Sequence, residues 1–261
     1  MFHALHRWLR RRRARALSRE IPAEAWQQVE ACLPVLDHLS LTDRQRLRQL
    51  SLDFLVSKQM SAAQGLTLRL PIQLSIALQA CLPNLNLGLD WYDGWQGIVV
   101  YPGDFVIPRQ ETDECGIVHE FDDTVLGEAW HGGPVLLSWF DDEENHTQEQ
   151  AGCQIVLHEF AHQLDMKNGA ADGFPPLHSN MSRTDWHAAF ATAYADFRQR
   201  IETGGEEHSQ LDPYGASAPA EFFAVMSEAF FSQSAVLLEE YPAVHEQLRH
   251  FYRQNPGKSG Q

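Results

Sequence analysis

His158 and His162, four residues apart, with Glu159 next to the first, are the residues of this chain best suited to chemistry. On a helix, positions four apart share a face, so both imidazoles can point at one atom. Glu159 sits one residue round, beside such an atom rather than on it. Two neutral nitrogens suit zinc, and the carboxylate can take a proton from metal-bound water. The competing reading is a pair of core histidines held by hydrogen bonds, with Glu159 paired to an arginine. The surroundings weigh against it. Ile155, Val156, Leu157, Phe160, Ala161 and Leu164 are all apolar, and ionisable groups among them are costly unless paired or bound to metal.

The stretch that must position these groups, Thr147 to Gly169, reads as one largely buried helix. Thr147 and Gln150 form a capping-box start, and Asn168-Gly169 suits a left-handed C-terminal turn. A catalytic zinc site also needs a third protein ligand and an open position. A third histidine at the end of HExxHxxGxxH is excluded, because Asp165 stands at the glycine position and Asn168 at the histidine position. The remaining common choice is a glutamate on a later helix. Ala218 to Gln233, APAEFFAVMSEAFFSQ, has Glu221 and Glu228 as its only charges, two turns apart on one face. Ser217 is a plausible cap and Pro219 fits the first turn. Either glutamate can coordinate while the other orients a histidine, a supporting role also open to Asp165. Tyr214 precedes Glu221 by seven residues, in DPYGASAPA.

The rest of the chain supplies scaffold. A net charge of −15 over 261 residues argues for a soluble protein and against general nucleic-acid binding. No apolar run approaches membrane-spanning length and no secretory core follows the N-terminus, so a cytoplasmic location is expected. Cys32, Cys81, Cys115 and Cys153 are widely spaced and read as buried thiols. Residues 1–20 hold seven arginines and read as a flexible basic arm. Residues 21–88 read as helical, with helices over Ala23–His38 and Thr42–Lys58, Thr42 as an N-cap, and a third opened by Pro71. Residues 89–254 carry the strand-like runs WQGIVVYPGDFVI, GIVHEF and GPVLLSW ahead of the histidine helix. Residues 255–261 read as a flexible tail, and 21–254 as one compact unit. The run Val135 to Trp139 fits either an edge strand that receives an extended peptide or an ordinary core strand. Trp91, Trp95, Trp130 and Trp139 are expected in the core, and His178, His187 and His208 in solvent.

HEFAH over His158–His162, the Tyr214-Gly215 loop and Glu221-Phe222-Phe223-Ala224 together resemble gluzincin metallopeptidases of the anthrax lethal factor type. They resemble more closely the bacterial Mlc titration factor A family, also called MtfA, over about 22–253. That resemblance implies an α+β, zincin-like fold: a small sheet, the HExxH helix and a glutamate-bearing helix, with a helical N-terminal layer. It implies one zinc ion on His158, His162 and Glu221, Glu159 as general base, and Tyr214 facing the oxyanion. It further implies aminopeptidase-like activity on peptides and binding of an Mlc-type transcriptional repressor. The alternative it leaves is a non-catalytic protein that sequesters the repressor and uses zinc structurally. One departure is Val225, where the lethal factor type has a second acid, a place Glu228 can fill. The 58 residues between His162 and Glu221 also exceed the toxin's gap, and their helix (182–201) and acidic loop (202–213) are expected to restrict the cleft.

Overall fold

The structure is a computed structural model that describes residues 2–112, 118–140, 146–205 and 209–257, without the side chains of 2–9, 11, 109–112, 119–121, 123 and 146–154. The sheet and helices alternate unevenly, as in an α+β fold. Helices α1 (Phe2–Glu20), α2 (Ala23–Ala31) and α3 (Leu41–Ser57) come first, then strand β1 (Gln59–Ala62) and α4 (Leu70–Cys81). Strands β2 (Gly97–Tyr101), β3 (Phe105–Thr112), β4 (Val118–Val125), β5 (Gly127–Ala129) and β6 (Val135–Ser138) follow. Helices α5 (His146–Asp165), α6 (Arg183–Gly204), α7 (Pro219–Ser232), α8 (Ser234–Glu240) and α9 (Pro242–Tyr252) complete the chain.

Four strands form one sheet in the order β1-β2-β6-β5, parallel except for β5, and β3–β4 form a separate antiparallel hairpin. Parallel pairs are normally covered on both faces, and Ile98, Val100, Val135 and Leu137 are fully buried. Val135 to Ser138 is therefore core, with Trp139 half-buried at its end: β6 lies between β2 and β5, and the sheet's two edges are β1 and β5. Strand β1 falls in a stretch read as helical. Its four residues are partly or fully exposed and carry no apolar pattern to announce it.

Other local differences have plain causes. The helix expected over Ala23–His38 stops at Ala31, because Pro34 lacks an N–H and pushes Leu33 out of helical geometry; a 3₁₀ turn over Pro34–Leu36 replaces it. Ser40, not Thr42, caps α3, accepting a hydrogen bond from the Asp43 N–H. The basic arm is helical from Phe2 to Glu20 and packs Ala14 into the core. Cys81 is buried as expected, but Cys32 is exposed. Trp95 is buried, whereas Trp130 is 45% exposed beside β5.

Helix α7 is the centre of the molecule. Its run from Phe222 to Phe231 is buried all round, as a helix apolar on every face must be, and α5, α6, α8 and α9 pack about it. Trp186 on α6 is fully buried against Phe190, Phe223 and Phe251, and its indole N–H donates to the Gly173 carbonyl at 3.3 Å. Replacing Trp186 with alanine is expected to destabilise the fold by about 3–5 kcal/mol, read as a lower denaturant midpoint at unchanged slope.

Candidate functional site

Helix α5 carries the paired histidines out of a fully apolar core. Phe160 and Leu164 are completely buried, and Phe160 packs on the rings of Phe54, Tyr92 and Trp95. That fixes the rotation of the helix and turns His158 and His162 to the opposite side. The α-helix ends at Asp165 and tightens into a 3₁₀ turn, Met166–Asn168, before Gly169 with φ 146°. The capping pair Thr147 and Gln150 lies outside the described side chains.

Helix α7 brings Glu221 to the histidines in its first turn. Ala218 is its N-cap and Pro219 starts it; Ser217 does not cap it but donates to the Tyr214 carbonyl at 2.8 Å. Glu221 Oε2 lies 3.0 Å from His158 Nε2 and 3.2 Å from His162 Nε2, and the two Nε2 atoms are 3.2 Å apart. Three lone-pair donors are thus gathered around one point, all within 4.8 Å of one another. Ligands held at roughly 2.0–2.1 Å from zinc on tetrahedral corners are about 3.3 Å apart. The triangle fits that ion. Burial disfavours charge on both partners, but the mutual hydrogen bonds outweigh it, holding the His158 pKa above its usual value and that of Glu221 below.

Glu228, two turns along α7, places Oε2 3.6 Å from His158 Nδ1. A carboxylate on that side is placed to favour a proton on Nδ1, which would leave the Nε2 lone pair for the triangle. Asp165 does not do this for His162. Its Oδ2 accepts from the Gly173 N–H at 2.7 Å, while Asp165 Oδ1 and His162 Nδ1 are buried without a hydrogen-bond partner. Gly173 itself, at φ 78°, leaves no room for a side chain against the Pro219 carbonyl, so this loop locks the start of α7 to the end of α5.

Glu159 is 5% exposed and points at the sheet edge. Burial pushes its carboxyl up to about 8; His158 opposes this, Glu221 and Glu128 add to it, and a hydrogen bond from the Ala129 backbone opposes it. The fit to β5 is close. A Cβ on Gly127 would overlap Glu159, lying 2.7 Å from Cγ and 2.8 Å from Cδ. Gly127 does not have positive φ, so glycine is required here for proximity, not for backbone geometry. Sequence reasoning passed over Gly127, Glu128 and Ala129. The available signal was a lone glycine in a short extended run just before Trp130.

Tyr214 lies in a 3₁₀ turn, Pro213–Ala216, capped by Asp212, which accepts from the Tyr214 N–H. The residue is 57% exposed, with its ring centroid 6.0 Å from that of His158. The inserted helix α6 packs against α7, α9 and this turn, so it buttresses the site from behind; residues 206–208 of the acidic loop lie outside the described ones. His178 is half-buried and hydrogen-bonded to the Phe251 carbonyl at 2.8 Å, His187 is exposed, and His208 lies outside the described residues.

The model of the glucose-regulated metallo-peptidase M90 family matches residues 6–253. This chain belongs to that family. Among its relatives, the Mlc titration factor A of Klebsiella pneumoniae (strain 342) is 38% identical over 231 residues, 88% of this chain and 86% of that protein. The Mlc titration factor A of Cronobacter sakazakii is 35% identical over the same length and shares. That of Salmonella typhi is 35% identical over 239 residues, 90% of this chain and 88% of the relative. A metallo-peptidase needs a metal, and the His158, His162 and Glu221 triangle can hold one. Gly127→Ala should displace the Glu159 side chain and, by overpacking, destabilise the fold by about 1–3 kcal/mol, read as a lower melting temperature with metal content unchanged.

Proposed function

We propose that this M90 family member is a zinc-dependent peptidase of the HExxH-plus-glutamate type, hydrolysing peptide bonds in the cytoplasm. The observation that carries the reading is the convergence of His158, His162 and Glu221 within 3.0–3.2 Å beside a buried Glu159. Zinc, when bound, supplies a Lewis acid that polarises a carbonyl and makes water more acidic. The remaining work falls to side chains. His158, His162 and Glu221 hold the ion, and Glu228 keeps His158 in the right tautomer. Glu159 takes the proton of the attacking water and delivers it to the leaving amine. The exposed Tyr214 hydroxyl donates to the oxygen that gains charge in the transition state. The outer edge of β5, unpaired among the described residues, receives the substrate as an added strand. Aminopeptidase-like preference rests on the family resemblance alone. No helix among the described residues is long and apolar enough to cross a membrane.

The test is metal analysis of the purified chain. One equivalent of zinc is expected, lost in His162→Ala, with hydrolysis of unblocked peptides disappearing on chelation and returning with added zinc. A protein that takes up no metal, or cleaves equally well without it, ends the proposal.

A second reading is favoured by the name of the relatives, Mlc titration factor A: binding of an Mlc-type transcriptional repressor. The two roles are compatible if the repressor docks away from β5. Repressor binding that survives Glu159→Gln separates them. Binding with no hydrolysis in the zinc-loaded wild type would leave sequestration as the sole function.

A further inference from the structure

Helix α1 is a basic segment on an acidic protein. It holds seven arginines and one glutamate, a net of +6 in a chain of −15, so the other residues together carry −21. It is docked rather than free. Ala14 is fully buried and Leu17 packs against the core. Positions 10, 13, 14 and 17 share one side of a helix, while 12, 15 and 19 share the other. Arg10 and Arg13 therefore lie on the side that α1 turns to the body of the protein.

Both line a cavity of about 1170 Å³. Its other walls are the C-terminal end of α3 with Lys58, the 3₁₀ turn Leu89–Tyr92, the loop through Trp95, and Gly132 between β5 and β6. His158, Glu159, His162 and Glu221 do not line it. Small-molecule sites usually enclose roughly 300–1,000 Å³, so there is room for an organic ligand. The pairing of its three cations is incomplete. Arg10 Nε is buried without a hydrogen-bond partner, and the one ion pair of Arg10 among the described residues is with Asp90, at 4.0 Å. Arg13 has no hydrogen bond or ion pair among the described residues. Lys58 Nζ donates to the Tyr92 and Trp95 carbonyls at 2.6 Å each and sits 3.6 Å from the centre of the Trp95 ring. Burial brings the Lys58 ammonium down to about 8; Asp93 opposes this, while Lys167 and Arg10 add to it. Asp90 and Asp93 also line the cavity, but both are exposed, so water screens much of their charge.

We propose that this cavity binds a small molecule carrying a phosphate group, which Arg10 and Arg13 grip while Lys58 supplies charge beside them. A guanidinium fork matches two phosphate oxygens at once. A phosphate monoester carries close to two negative charges at neutral pH, which suits three cations better than the single charge of a carboxylate. A nucleic acid or a membrane surface would meet Arg12, Arg15 and Arg19 on the outer side of α1 first; a small molecule reaches the inner pair. The site stands whether or not the metal centre hydrolyses peptides.

The experiment is calorimetric titration of the full-length protein with phenyl phosphate, benzoate and phenol. It is run on zinc-loaded protein and repeated on metal-stripped protein, because a phosphate can also bind zinc. Phenyl phosphate should bind both forms, at least about tenfold tighter than benzoate, and phenol should give no heat. Arg13→Gln and Arg10→Gln should each weaken phenyl phosphate by about tenfold or more, as expected for losing a charge-assisted hydrogen bond. Arg15→Gln, on the outer side of α1, should leave it unchanged. Arg13 is exposed, so its variant should fold and decides the matter should Arg10→Gln not. No binding of phenyl phosphate, or binding to the zinc-loaded form alone, overturns the proposal. So does binding that Arg13→Gln leaves intact or that Arg15→Gln weakens as much. Benzoate binding as tightly as phenyl phosphate overturns the assignment of phosphate.

Discussion

Glu159→Gln is expected to lower kcat for peptide hydrolysis by about 10²–10⁴-fold, with zinc content retained. The carboxamide keeps the shape of the carboxylate and the backbone contact with Ala129, but it cannot accept the proton of the attacking water. Stability should not fall. Burial lifts the Glu159 carboxyl from its ordinary 4.5 to about 8 in the metal-free fold. A raised carboxyl contributes stability that is complete below 4.5 and is lost as pH rises through about 8. Metal-stripped Glu159→Gln should therefore melt above stripped wild type, and by most in alkaline buffer. Calorimetry and steady-state kinetics on the same preparations check both halves. Full activity in the variant would remove Glu159 from the mechanism.

Glu221→Ala should abolish hydrolysis by weakening metal binding more than the 10–100-fold typical of losing a supporting contact to a ligand. The same triangle makes zinc affinity depend on pH. In the stripped protein burial acts against a charged His158, but hydrogen bonds to Glu221 and Glu228 win and raise its pKa from 6.5 to about 10. The sign follows. The stabilisation from charged His158 is complete below 6.5 and disappears as pH climbs toward about 10. Metal must displace this proton, so affinity should rise over that window by up to about tenfold per pH unit. The gap in melting temperature between loaded and stripped protein should widen accordingly. Glu228→Gln should weaken affinity by about 10–100-fold. Competition titrations with a chelator at several pH values measure all three effects, and an affinity independent of pH would show that His158 Nε2 is not displaced.

Much of the site could be read directly from the chain. The i, i+4 spacing of His158 and His162 forces both imidazoles to one face, whatever the rest of the molecule does, and the apolar residues between them require that helix to be buried. The same reasoning made Glu221 and Glu228 a pair two turns apart on a helix with no other charge. It could not say which of them would reach the histidines. That depends on how α7 crosses α5, which the Gly173 loop and the aromatic packing of α7 decide at long range. Nor could it say whether Asp165 or Glu228 would support a histidine; Asp165 is drawn instead to the Gly173 N–H.

The strands were legible as extended runs, but their order was not. A buried parallel strand and a peptide-binding edge can share one composition, and only pairing partners separate them; Val135–Ser138 went to the interior for that reason. Glu159 was visible as a residue beside the histidines. Its close fit against Gly127 was not, because two residues 32 apart in sequence meet only when β5 folds antiparallel onto β6. Local spacing fixed the chemistry available to this protein, because helix periodicity is a property of the backbone alone. Tertiary packing decided which carboxylate meets the histidines and which strand lies at the sheet edge beside Glu159, because such contacts join segments whose separation no local pattern records.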